Sequence, residues 1–164
     1  MPSDLWDFAQ RLYGRPGVEH ACLQLQEAGA DVCLLLCGAW LQQRGVACTP
    51  ARLAHLQAIA QPWQTEVISP LRQLRQNWRT AAQRQAPLAA LRERLKGLEL
   101  DAEQLLLLAL QACAHDWAPE SGSTVPAWLE ALAGTNADPD ALQMLRAEAM
   151  QASEALLVLS ATTG

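Results

Sequence analysis

Cysteine and histidine are the residue types in this sequence that could bind a metal or attack a substrate. Cys33 and Cys37 lie four residues apart, and the short segments 20–22 and 113–115 each combine one His with one Cys. Structural zinc sites usually show Cys-x-x-Cys or His-x3-His pairs, and an elbow nucleophile needs Gly-x-Ser-x-Gly; the sequence has none of these patterns. We therefore predict no metal, no cofactor and no catalytic residue, and we favour a protein that is not an enzyme.

The five cysteines are odd in number, and most lie within an apolar helical pattern. A disulfide framework usually pairs an even number of cysteines in a short secreted chain. The sequence instead predicts thiols that are buried as small hydrophobic side chains.

Acidic side chains offer a second kind of chemistry. Glu99 and Glu103 lie one helical turn apart, where paired carboxylates could hold a divalent cation or act on a substrate. Because glutamate is seldom buried, the pattern favours a solvated helix face. Asp31 directly precedes an apolar helical segment, which favours a helix cap over a catalytic base.

The basic residues are unevenly distributed along the chain. Residues 1–98 carry 11 basic and 7 acidic side chains, whereas residues 99–164 carry 1 basic and 10 acidic. Within the basic stretch 72–96, Arg72, Arg75 and Arg79 form one stripe of a helix. Such a stripe can bind phosphates or an acidic protein surface, or the acidic C-terminal helices can lie against it and neutralise it.

Two of the six tryptophans, Trp117 and Trp128, flank a loop rich in Pro, Ser and Gly. We expect both to be partly exposed, and exposed tryptophan often anchors a protein interface. The alternative is that they pack against helix ends.

These residues must be positioned by helices, because apolar residues recur at spacings of three and four almost throughout. The pattern predicts an all-α fold, an irregular bundle of about seven helices. Ser3, Asp31 and the Thr49-Pro50 pair are expected to begin three of them. The apolar run Val32–Leu41 is expected to form a helix that is buried on all sides.

The middle of the chain predicts a long antiparallel helical hairpin. One apolar row continues on both sides of Pro70, which indicates a kinked helix. Pro87 begins the longest helix, which we expect to pack against the preceding one because short connections join neighbours. Its apolar row predicts a core-facing seam with Leu98 in the middle: Leu88, Leu91, Leu95, Leu98, Ala102, Leu105, Ala109 and Ala112.

The length of 164 residues fits one helical domain over residues 1–164. The loop at 117–125 is the best candidate for a hinge, with the acidic C-terminal helices docked on the main bundle. The ten-residue apolar run is too short to span a membrane, and the N-terminal residues lack the layout of a secretory signal. We therefore expect a cytoplasmic protein with no membrane association.

Several strings in the N-terminal half carry a family resemblance, among them Leu-Trp-Asp-Phe-Ala at 5–9, Tyr-Gly-Arg-Pro-Gly-Val-Glu at 13–19 and Ala-Asp-Val-Cys-Leu-Leu-Leu at 30–36. Together with Pro62-Trp63 and Pro70-Leu71-Arg72, they resemble a family of small proteobacterial proteins of unknown function over about residues 5–105. The resemblance implies no activity, cofactor or binding residue.

The functional expectation is a non-enzymatic helical binding or regulatory module that docks a protein partner or associates with itself. The candidate partner-binding residues are Arg72, Arg75, Arg79, Trp117 and Trp128. One alternative is anion or nucleic-acid binding through the basic stretch 72–96. A further alternative is a small-molecule-binding protein or a cryptic enzyme.

Overall fold

The structure, a computed structural model, describes residues 4–120 and 127–162, with side chains for residues 4–120 and 127–154. This part of the chain is all-helical, as predicted. Helices α1 to α4 span Leu5–Tyr13, Val18–Glu27, Val32–Gln43 and Pro50–Trp63. A π-helical turn, Gln64–Ile68, leads into α5 (Ser69–Asn77), which is followed by α6 (Arg79–Ala82), α7 (Ala86–Cys113), α8 (Trp128–Ala133) and α9 (Pro139–Thr162).

The number of helices agrees closely with the prediction. With α4 to α5 counted as one continuous helix, the described residues form eight helices, against about seven predicted. The predicted cap Ser3 and much of the predicted hinge at 117–125 lie outside the described residues. Asp4 caps α1, because its carboxylate accepts a hydrogen bond from the Trp6 backbone N–H at 2.9 Å. The single domain over residues 1–164 stays a prediction.

Helix α3 lies at the centre of the bundle. Residues 33–41 are all buried, which confirms the helix predicted to be surrounded on all sides. Asp31 caps it, with its carboxylate accepting a hydrogen bond from the Leu34 N–H at 3.3 Å. The core around α3 is one cluster with side chains from α1, α2, α4, α7, α8 and α9.

The last two helices pack on the N-terminal ones. Helix α8 lies against α3, and α9 lies against α1, α2 and α3. At Gly38 of α3, a Cβ atom would lie 2.6 Å from Leu132 Cδ1 and 3.3 Å from Trp128 Cβ, so glycine lets α3 and α8 pack closely without a shift of the Leu132 side chain. The ion pairs Arg15–Glu148 and Arg146–Glu130 add surface contacts to α9.

Helices α4 and α5 form one continuous run despite the two prolines in it. Pro62 lies inside α4, and Pro70 lies in the first turn of α5. Proline has no backbone N–H to donate, and the helical hydrogen-bond pattern changes to that of a π-helical turn between the two prolines. The run then turns at α6 and meets α7, which packs antiparallel to it, as predicted.

The predicted core-facing seam of α7 is wrong at alternate positions, where the residue that follows the predicted one faces the core. Leu95 and Ala102 face the core as predicted, but Leu98 and Leu105 are 54% and 53% exposed. The core positions between and after them are occupied by other residues: Glu99, Leu106, Leu107 and Leu110. This second row has the same alternating spacing, so the spacing alone fits both rotational settings of the helix.

No helix among residues 4–120 and 127–162 is long and apolar enough to cross a membrane.

The setting of α7 can be tested by comparing two adjacent leucines. Because Leu106 is fully buried, Leu106→Ala should lower the free energy of unfolding by about 2–5 kcal/mol. Leu105→Ala removes a side chain that is half exposed and should cost less than about 1 kcal/mol. Urea unfolding followed by circular dichroism measures both. A larger loss for Leu105→Ala would favour the seam predicted from the sequence.

Candidate functional site

The predicted basic stripe consists of two paired arginines and one exposed arginine. Arg72 Nε donates to Glu99 Oε1 at 3.1 Å, and its Nη2 donates to Glu103 Oε1 at 3.2 Å. Arg75 Nε donates to Glu99 Oε2 at 2.6 Å. Arg79 is exposed. The expectation that Glu99 lies on a solvated face is wrong: only 6% of the residue is exposed, and two guanidinium groups replace the water it loses.

These contacts place the neutralising acids within the hairpin itself. The sequence suggested that acidic C-terminal helices cover the stripe, but the carboxylates that pair with Arg72 and Arg75 belong to α7. Burial raises the pKa of Glu103, and the nearby Glu99 raises it further, while Arg72 opposes both effects. The hydrogen bond between Arg75 and Glu99 raises the pKa of Arg75. Each charge in the cluster is therefore stabilised by an opposite charge on the facing helix.

Four of the seven basic residues in the stretch 72–96 have partners within the hairpin. Besides the two paired arginines, Arg92 Nε donates to the Arg75 carbonyl at 2.9 Å, and Lys96 lies 3.2 Å from Glu93. The remaining basic residues of the stretch are exposed: Arg79, Arg84 and Arg94. Anion or nucleic-acid binding stays an untested alternative with a reduced set of residues.

Trp117 and Trp128 form a structural contact. Their rings stack with centroids 6.1 Å apart, and the Trp128 indole N–H donates to the Val46 carbonyl at 2.7 Å. Trp128 is fully buried, so the expectation that it is partly exposed is wrong. Trp117 is half-buried, with the Arg52 guanidinium 5.4 Å from its ring centroid. At this point α8 packs close to α3, since a Cβ at Gly38 would lie 3.3 Å from Trp128 Cβ.

Asp31 joins α3 to the π-helical turn. The side chain of Gln64, in that turn, donates to Asp31 Oδ1 at 2.9 Å. Burial raises the pKa of Asp31, whereas hydrogen bonds from the backbone of Leu34 and Cys33 and from Gln64 oppose this rise. A carboxylate engaged in this way acts as a helix cap, as the sequence predicts.

The cysteines are poorly suited to nucleophilic chemistry. Burial raises the pKa of Cys22 to about 12, and it also raises the pKa of Cys33 and Cys37. Thiols in this state stay protonated at neutral pH, and the thiolate is the reactive form. The predicted burial is confirmed for these three residues. Among the side chains that the structure describes, no three potential metal ligands are grouped together.

An open apolar groove lies between the α4–α5 run and α7. Its volume is about 420 Å³. We call it the leucine groove, and it is lined by Trp63, Glu66, Val67, Pro70, Leu71, Leu74, Leu98, Asp101, Ala102 and Leu105. Glu66 and Asp101 are its two charged residues, so an otherwise apolar surface has an acidic rim.

The leucine groove and the charge cluster are consequences of one rotational setting of α7. Successive residues of an α-helix are about 100° apart, so a helix that turns Glu99 inward turns Leu98 to its flank. The apolar spacing of α7 does not indicate the groove, because it places Leu98 and Leu105 in the core. The available signal was the second row with the same spacing, in which Glu99 lies within reach of the arginines of the preceding helix.

Comparison with known proteins identifies a family whose function is unknown. The model of a family described as a protein of unknown function (DUF2390) matches residues 4–110. The match includes α1 to α6 and most of α7, and hence all the residues that line the leucine groove. Neither a curated protein nor a solved structure matches this chain.

The charge cluster predicts a large stability loss on removing both paired arginines. Arg72→Ala with Arg75→Ala leaves Glu99 buried without a partner and should lower the free energy of unfolding by about 3–5 kcal/mol. Arg79→Ala, at an exposed position, is the control and should change it by less than about 0.5 kcal/mol. Adding Glu99→Met to the double variant should restore part of the loss. Equal stability of the double variant and the control would show that the cluster is not structural.

Asp31 predicts a specific dependence of stability on pH. A carboxyl whose pKa is raised by folding binds protons more tightly in the native state, so its contribution to stability falls as the pH rises. Asn caps helices about as well as Asp. The stability of Asp31→Asn relative to the native sequence should therefore increase from acid to neutral pH. Urea unfolding over a pH series measures the difference, and a difference that falls as pH rises would contradict the assignment.

Proposed function

The chain belongs to this family of proteins of unknown function, and from its geometry we propose that it is a non-enzymatic helical docking protein. The leucine groove binds an amphipathic helix of a protein partner. The observation that carries this proposal is the exposure of Leu98 and Leu105 beside an open apolar groove. Soluble monomers rarely leave large contiguous apolar patches exposed, and such patches commonly mark interaction sites.

The shape of the groove favours a helix as its occupant. Two antiparallel helices leave a linear channel between them, and an amphipathic helix fits such a channel with apolar side chains on one face. The partner helix would present leucine-like residues at spacings of three and four, in contact with Leu71, Leu74 and Leu98. A basic residue on its flank would face Glu66 and Asp101, since complementary charge fixes orientation.

The buried titratable groups named above support docking over catalysis. Glu99 and Glu103 are engaged by arginine, Asp31 caps a helix, and the buried thiols have raised pKa values. Each of these groups has a structural task. We further propose that the protein is bacterial and cytoplasmic, as the sequence indicates, and that its partner is another protein.

Site-specific photo-crosslinking in the native cell tests the proposed surface. A benzophenone amino acid at position 98 should form a covalent adduct with a partner, whereas the same residue at position 100 should not. Leu100 is the matched control because it is 51% exposed and lies on the same helix but on a different face. Mass spectrometry of the adduct should locate the crosslink in an amphipathic helix.

A second change makes this experiment specific to the groove. Leu105→Asp places a charge in the apolar contact about two helical turns from position 98 and should abolish the adduct at position 98. Circular dichroism should show an intact fold, since Leu105 is exposed. Equal adducts at positions 98 and 100, or no adduct at either, would overturn the docking proposal.

A further inference from the structure

The exposed leucines of α7 have the spacing of a helix-pairing interface. Leu91, Leu98 and Leu105 are seven residues apart, and they are 46%, 54% and 53% exposed. A seven-residue repeat keeps side chains on one stripe of a helix that packs against another helix. The stripe borders the leucine groove, to which Leu98 and Leu105 both contribute.

Two charged residues of opposite sign lie on the same stripe. Arg94 comes four residues before Leu98, and Asp101 comes three residues after it. Both are exposed, and both lie within about 60° of Leu98 around the helix. The stripe therefore has a basic end and an acidic end, with Leu98 between them.

We propose that the occupant of the leucine groove is α7 of a second copy of this chain, packed antiparallel about a two-fold axis beside Leu98. Leu98 then faces Leu98 of the second copy, and Leu91 faces Leu105. Arg94 lies opposite Asp101 of the second copy, offset by one residue, or about 1.5 Å along the helix. A two-fold interface repeats each such contact, so the dimer has two Arg94–Asp101 pairs.

Charge complementarity selects this arrangement over a parallel one. In a parallel pair Arg94 would face Arg94 and Asp101 would face Asp101, and like charges in contact destabilise an interface. In the antiparallel pair, Arg94 of the second copy approaches the acidic rim formed by Glu66 and Asp101. At Gly97, no described atom beyond its chain neighbours and the nearby backbone of α7 lies within 4 Å of where a Cβ would be, which leaves room for a neighbouring helix.

This inference rests on the proposed function, because it names the partner of the same groove. Other occupants remain as outcomes of the test: a helix of a different protein, or a segment of the same chain. The first would give a position-98 adduct of another protein, and the second would give a crosslink within one chain.

The oligomeric state of the full chain is the first test. Light scattering during size-exclusion chromatography should give a mass near 36 kDa, twice the 17.8 kDa of one chain. This mass should fall toward that of the monomer on dilution. Concentrations from about 1 to about 100 µM cover a micromolar dimer. Leu98→Asp sets two carboxylates against each other at the axis and should weaken the dimer more than about 100-fold. Leu100→Asp is the matched control and should dimerise like the native sequence.

Charge reversal then tests the antiparallel register. Arg94→Asp and Asp101→Arg should each weaken the dimer at least about tenfold, because two ion pairs become two repulsions. The double variant should recover it. Mixing the two single variants should give a heterodimer, in which every 94–101 contact again joins opposite charges. Circular dichroism and thermal melting establish that each variant is folded.

The outcomes separate this inference from the proposed function. A native chain that is monomeric at about 100 µM, or a Leu98→Asp variant that still dimerises, overturns the dimer. Failure of the double charge reversal to recover overturns the antiparallel register. If the native chain is monomeric while the position-98 crosslinker captures another protein, the docking function stands and the second copy is excluded as its partner.

Discussion

A buried carboxylate shared by two guanidinium groups is the interaction on which the rest of the hairpin depends. Glu99 occupies a core-facing position of α7, where an unpaired charge would cost several kcal/mol. Its oxygens accept hydrogen bonds from Arg72 and Arg75, and Arg72 extends the contact to Glu103. These bonds tie α5 to α7 and specify which face of the long helix turns toward the bundle.

The same contact decides which side chains of the hairpin are exposed to a ligand. With Glu99 turned inward, Leu98 and Leu105 lie on the flank of α7, next to the apolar side of the α4–α5 run. Arg72 and Arg75, at the N-terminal end of the basic stretch, pair with glutamates of α7 and are not free to bind an acidic ligand, whereas the apolar groove is open. The charge asymmetry between the two parts of the chain is partly neutralised inside one hairpin.

The molecule combines a rigid framework with one open apolar surface. Helix α3 is buried along nine consecutive residues and α8 packs against it, while the Trp117 ring stacks on Trp128 of α8. The π-helical turn contributes to both parts, since Gln64 bonds to the cap of α3 while Glu66 and Val67 line the groove. A docking surface built on packed helices presents its side chains with little loss of conformational entropy on binding.

The sequence by itself determined the all-α class, the caps Asp31 and Thr49, the buried α3 and the antiparallel hairpin, because each depends on residues within a few turns of one another. Tertiary structure decided whether Leu98 or Glu99 faces the core. Two rows of equal spacing run along α7, and hydrophobicity favours the row with Leu98. The outcome depends on guanidinium groups that lie 27 and 24 residues earlier in the chain. They offset the cost of burying Glu99, and they reach it only in the folded hairpin. The burial of Trp128 likewise depends on contacts with distant parts of the chain, among them α3 at Gly38 and the Val46 carbonyl, which no local pattern around the tryptophan indicates.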